Sequence, residues 1–141
     1  MDPRGRASLR VVLLAVTALS LALFWNAGLF AANDKDMTTE YLTCVRNSEG
    51  VTSKILDCIS AEFDRQDSRL NEAYKKLMSK LSKDRKKSLV EAQRAWIKFR
   101  EANCGFYYDP NGGSAAHMAG NECSLNATVD RAKELENLLS D

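Results

Sequence analysis

Hydrophobic residues recur at helical spacing through most of this chain. Ile55, Ile59, Phe63, Leu70, Tyr74, Leu77 and Leu81 trace one stripe, and Leu89, Ala92, Trp96, Phe99 and Asn103 trace a second. Neither Gly nor Pro interrupts residues 51–104, yet a single helix of that length would far exceed the usual 11–12 residues or so. Ser82 is an acceptable N-cap and 83–87 is an apolar gap. The pattern therefore predicts helices at 53–81 and 83–103 joined by a tight reversal near Ser79–Asp84, with one long bent helix as the alternative. Thr38 or Thr39 caps a short helix through about Arg46, and Asn47-Ser48-Glu49-Gly50 reads as a turn. Thr52 or Ser53 caps the helix that follows. Residues 105–122 read as a Gly-rich loop, after which Ser124 caps a terminal helix with Leu125, Thr128, Ala132, Leu135 and Leu139 on one face. The fold class is all-α: an antiparallel helical hairpin plus short N-terminal and C-terminal helices.

Two charged residues fall inside these stripes. Arg100 follows Trp96 by four positions, and Asp67 lies among Phe63, Leu70 and Tyr74. An unpaired buried charge is expensive, so the economical reading is a structural ion pair between Asp67 and Arg100 across the hairpin. Gln93 and Asn71 are placed to complete its hydrogen bonds. Asp67→Ala would then cost about 3–5 kcal/mol. A catalytic carboxylate is the competing reading, but it leaves Arg100 unexplained. Trp96, Phe99, Phe63 and Tyr74 are read as core.

The beginning of the chain alters how its 45% hydrophobic content is judged. Arg4, Arg6 and Arg10 precede an uncharged apolar run from Val11 to Trp25, and small residues follow up to Ala32. Residues 1–32 read as a secretory signal peptide cleaved near Ala31 or Ala32, leaving 33–141 as a single helical domain. An uncleaved anchor is the alternative, because the uncharged run reaches Ala32 and can span a bilayer if tilted. Four cysteines lie after the signal, which suits an oxidising compartment. Three pairings are possible. Cys44–Cys58 and Cys104–Cys123 are expected, since each pair brackets a turn-rich segment between helical patterns. Zinc held by four cysteines is disfavoured by the absence of any C-x-x-C spacing.

Charge is segregated along the chain. Residues 75–100 hold 10 basic and 2 acidic side chains, whereas 34–72 hold 5 and 9 and 101–141 hold 2 and 7. Most such charges solvate helix faces or pair across them. The lysines of 83–87 are not read as a nucleic-acid patch in an exported chain. His117, the only histidine, lies three residues after Ser114 in a glycine-rich stretch. No G-x-S-x-G elbow surrounds that serine, and Gly112-Gly113-Ser114 lacks the strand and lysine of a phosphate loop. The chain is thus read as neither an enzyme nor a cofactor protein, with no metal, no nucleic acid and no small-molecule substrate.

The run from Ala92 to Cys104, AQRAWIKFREANC, is preceded by Leu70-Asn71-x-x-Tyr74. It is followed by Gly112-Gly113-Ser114, Cys123 and Thr128-x-x-Arg131-x-x-x-Leu135. These motifs, in this order, resemble the lysozyme inhibitor LprI family, exported bacterial domains formerly of unknown function. The resemblance covers roughly Cys44 to Leu138. It implies an exported helical protein of the periplasm or the extracellular side of the bacterial envelope, which inhibits a lysozyme by occluding its cleft. Contact with a membrane is then expected only through the signal segment, if that segment stays uncleaved. A structural or adaptor role in the envelope without lysozyme affinity is the alternative. For an inhibitor, the expected contact surface is Phe106, Tyr107, Tyr108, Asp109, Asn111, Gly113 and Ser114, because aromatics bury much area at little rotamer cost. The same aromatics could instead plug the end of the bundle.

Overall fold

The structure, a computed structural model, describes residues 36–140. The predicted signal peptide lies outside the described residues. Four helices follow in order: α1 (Thr39–Asn47), α2 (Thr52–Lys80), α3 (Lys83–Tyr107) and α4 (Gly113–Ser140). The described chain contains no strand. Residues 36–141 form a compact unit by themselves.

Local chemistry sets most of the helix ends. Thr38 caps α1, its hydroxyl accepting the Tyr41 N–H at 3.2 Å. Glu49 and Gly50 then turn the chain with φ of 53° and 77°, a conformation that costs glycine least. The N-cap of α2 is Val51, with no side-chain bond, so neither Thr52 nor Ser53 serves as expected. Leu81 and Ser82 are both extended, with ψ of 152° and 163°. Two extended residues are enough to end α2 and start α3 at the predicted reversal. Leu81 and Leu89 pack on the cluster that contains Leu77, and further along Arg100 lies over the Phe63 ring. Helices α2 and α3 are therefore antiparallel.

The largest departure from the sequence reading is the C-terminal helix. The expected loop 105–122 shrinks to Tyr108–Gly112, because α3 runs on to Tyr107 and α4 begins at Gly113. Isolated glycines cost a helix only about 1 kcal/mol each. Packing easily outweighs that, since Met118 joins the cluster of Ile59, Leu125 and Val129. Ser124 accordingly lies inside a helix and caps nothing. Helix α4 is also the central element of the fold. Thr128, Val129, Ala132 and Leu135 are fully buried, and α4 packs most extensively on α2 and next on α3.

Two apolar clusters result. Ile59, Leu125 and Val129 gather Met37, Tyr41, Ile55, Phe63 and Met118 around them. Leu70, Ala73, Leu77, Ala132 and Leu135 gather Tyr74, Leu81, Leu89, Trp96 and Leu139. Between them along α2 lie two buried polar residues, Glu62 and Gln66. The seam of α2 is thus Ile59, Glu62, Gln66, Leu70, Ala73 and Leu77, at strict three-and-four spacing.

Glu62 is the polar anchor of the N-terminal helix. Its carboxylate accepts the Thr38 N–H at 2.9 Å, the Thr38 hydroxyl at 2.6 Å, Gln66 Nε2 at 2.7 Å and Arg65 Nε at 2.8 Å. Burial acts to raise its pKa, but the bonds from Gln66, Thr38 and Arg65 outweigh it and hold the value below the ordinary one. Gln66 also donates to the Asp36 carbonyl at 3.2 Å, and Lys133 pairs with the Asp36 carboxylate at 2.7 Å. The Cys44–Cys58 disulfide completes the attachment of α1 to α2.

The two charges predicted to pair find other partners. Asp67 accepts a bond from its own helical neighbour Asn71 at 2.8 Å, and no ion pair among the described residues joins it to Arg100. The Arg100 guanidinium donates to Thr128 Oγ1 at 3.0 Å and lies 4.8 Å from the Trp96 ring centroid and 5.5 Å from that of Phe63. A hydroxyl and two ring faces stabilise a half-buried cation without a carboxylate. Trp96 also receives Arg131, at 5.9 Å. Arg131 in turn donates to Gln93 at 3.0 Å and to Glu134 at 2.7 Å.

Candidate functional site: the aromatic tip

Helices α3 and α4 meet at one end of the bundle through five residues, Tyr108–Gly112, and the Cys104–Cys123 disulfide joins the helices just behind them. Both cysteines are helical, so the bridge clamps two helices rather than closing a long loop. Within the turn, Tyr108 N–H donates to the Cys104 carbonyl at 3.1 Å and Gly112 N–H to the Asp109 carbonyl at 3.0 Å. The Asp109 side chain accepts the Asn111 N–H at 2.8 Å, a local turn that aspartate favours. Gly113 has φ 67° and opens α4. The tip therefore has a defined backbone.

All seven residues expected at a contact surface, Phe106, Tyr107, Tyr108, Asp109, Asn111, Gly113 and Ser114, are exposed here and close together in the chain. Phe106 is 82% exposed, Tyr107 50% and Tyr108 43%. The rings of Phe106 and Tyr107 meet edge to face at 5.7 Å. Bundle plugging thus fails for Phe106. It holds in part for Tyr108, whose ring stacks on His117 at 4.6 Å and 13°. Gly120 permits that stack, because a Cβ there would stand 2.7 Å from Tyr108 Cβ. His117 supports the tip from below through this stack, and no hydrogen bond among the described residues joins it to Ser114.

Phe99 is the residue the periodicity misplaced. It is 65% exposed. The face of α3 turned to the bundle is Leu89, Gln93, Trp96, Arg100 and Cys104, while Ala92, Ala95, Phe99, Ala102 and Phe106 lie outside. That outer set has the same three-and-four spacing and leads along α3 to the tip. Its signal was present in the sequence. It was masked because the inner face carries glutamine and arginine, so hydrophobicity alone rotated the helix toward Phe99.

The sequence on either side of the tip is acidic. From Glu101 through Asp130 the chain carries Glu101, Asp109, Glu122 and Asp130 and no Lys or Arg. The description of the lysozyme inhibitor LprI family matches residues 44–135, a span that takes in both disulfides, the outer face of α3 and the tip. The chain belongs to the lysozyme inhibitor LprI family. Neither the curated proteins nor the solved structures yielded a match. As in the sequence reading, the pairing of this LprI domain is Cys44–Cys58 and Cys104–Cys123, which suits an exported protein.

Proposed function

We propose that this LprI-family protein inhibits a lysozyme in the periplasm or outside the cell, by seating its aromatic tip in the enzyme's cleft. The observation that carries this reading is Phe106, almost fully exposed beside Tyr107 on a turn clamped by Cys104–Cys123. An exposed aromatic on a rigid support is a favoured binding anchor, because little conformational freedom remains to be lost on association. Phe99 extends the apolar contact along α3. Asp109 and the neighbouring carboxylates complement the cationic surface of a lysozyme and steer its approach. No chemistry by the inhibitor is required, since occupying the cleft excludes the substrate.

The test is clearance of a bacterial cell-wall suspension by lysozymes of several types, with and without the purified protein. Inhibition that weakens in Tyr108→Ala and Asp109→Ala variants of confirmed fold supports the tip. Unchanged inhibition in both moves the contact elsewhere. No inhibition of any lysozyme by the wild type favours the adaptor role.

A further inference from the structure

We propose that the opposite end of the described helical unit, at the start of α3, is a docking surface for an anionic phospholipid bilayer. Lys83, Lys86, Lys87 and Arg94 line one shallow groove together with Val90 and with Glu91 as its single carboxylate. None of these four cations takes part in an ion pair or side-chain hydrogen bond among the described residues, whereas Arg65, Arg69, Arg131 and Lys133 all do. The groove therefore carries uncompensated positive charge. Ser82 makes no side-chain cap bond, so the open N–H groups of the first turn of α3 add to the positive potential.

A bilayer is favoured over a soluble polyanion by what lies beside the cations. A second groove on the other flank of α3, about 290 Å³ in volume, is lined by Leu77, Leu81, Leu89 and Leu138 together with Arg85, Arg131 and Glu134; Leu77 is buried, and Leu81 and Leu89 pack on the core. Leu138 is half exposed. The half-exposed Leu138 with Arg85 beside it, at the same end of the helices as the unpaired lysines, matches the interface of an anionic membrane, where headgroups meet acyl chains. A phosphate or sugar polymer has nothing to offer that leucine. No described helix is long and apolar enough to cross a membrane, so the contact is peripheral.

The placement also orients the molecule. Lys83 and Tyr107 open and close a 25-residue helix, and at 1.5 Å per residue they stand about 36 Å apart. An anionic surface attracts the basic end and repels the acidic tip. The tip then faces away from the lipid, toward any partner arriving from solution. This inference rests on the basic end alone and stands whether or not the tip inhibits lysozyme.

The experiment is co-sedimentation of the 33–141 chain, which retains both disulfides and both apolar clusters, with lipid vesicles. Vesicles of phosphatidylcholine containing phosphatidylglycerol are compared with phosphatidylcholine alone, at low and high salt. Binding is expected only to the anionic vesicles and only at low salt. The Lys83→Glu/Lys86→Glu/Lys87→Glu variant should lose well over roughly 100-fold in partitioning, because reversal adds repulsion to the loss of three attractive charges. The milder triple Lys→Gln variant should lose roughly 100-fold, since each basic residue near a charged surface contributes roughly fivefold, and guards against misfolding of the first. Leu138→Ser should weaken binding, and Phe106→Ala should leave it unchanged. Equal binding to neutral vesicles, or retention by both triple variants, overturns the proposal. So does binding of soluble polyphosphate without binding of anionic vesicles, which would mark a polymer site.

Discussion

Replacement of Glu62 by alanine is the most demanding test of how this fold is held together. The carboxylate is completely buried and accepts four hydrogen bonds, two from Thr38 and one each from Gln66 and Arg65. Bonds to a charged acceptor contribute about 1.5–3 kcal/mol each, but those sharing one carboxylate do not add. After truncation, Arg65 returns to water and Gln66 keeps its weaker bond to Asp36. The Thr38 donors are left unsatisfied and the α1 attachment loosens. The expected loss is about 3–5 kcal/mol, in the range for breaking a buried charged contact. Urea unfolding with both disulfides intact measures it as a lower midpoint at nearly unchanged slope. The pH dependence gives a second check. Because the folded pKa of Glu62 lies below the ordinary 4.5 or so, its contribution is complete above that value and is lost as pH falls through the folded pKa. The gap between wild type and Glu62→Ala should therefore narrow on acidification below about pH 4.5. A loss under about 1 kcal/mol at neutral pH, or a gap that does not change with pH, would refute the reasoning.

Other substitutions probe the remaining assignments. Asp67→Ala should cost less than about 1 kcal/mol, because its partner is a neighbouring asparagine on an exposed helix face and not Arg100; a loss of several kcal/mol in urea would restore the ion pair. Gly120→Ala would stabilise an ordinary helix, yet here it should destabilise by about 1–3 kcal/mol, since the new methyl meets Tyr108. A raised thermal midpoint would show that the tip does not pack on α4 in this way. Removing the Cys104–Cys123 bridge as a double serine variant should cost about 3 kcal/mol for the loop it closes, and should weaken inhibition beyond the loss of stability; inhibition equal to wild type at a temperature where the variant is folded would show that the tip needs no clamp.

Elements with a strong local signal were readable from the sequence. Thr38 and the Asn47–Gly50 turn delimit α1 through capping and left-handed geometry. Ser82 marks the reversal, although no side-chain bond reinforces it. Both disulfides join the cysteines that bracket turns. What failed was helix phase, for a physical reason. The seam between helices carries Glu62, Gln66, Gln93, Arg100, Thr128 and Arg131, each satisfied by a partner from another turn or another helix. A reading that assigns hydrophobes inward turns Phe99 into the core and Asp67 into the seam. Both lie elsewhere. The glycines misled in the same way, because Gly105, Gly113 and Gly120 suggested a loop where packing and a disulfide sustain two helices. The exposure of the tip was legible in part, since at least one of three consecutive aromatics followed by Asp-Pro-Asn-Gly is expected outside, with plugging of the bundle end as the alternative.

The central claim, that the tip is what meets a lysozyme, is tested most directly by the inhibition constant of Phe106→Ala against that of the wild type. Phe106 is almost fully exposed and bears no part of the core, so the variant should fold as the wild type does. A central aromatic anchor contributes about 2 kcal/mol or more to a complex, which predicts inhibition weakened roughly 30-fold. An inhibition constant within about twofold of wild type, with the fold intact, would contradict the claim.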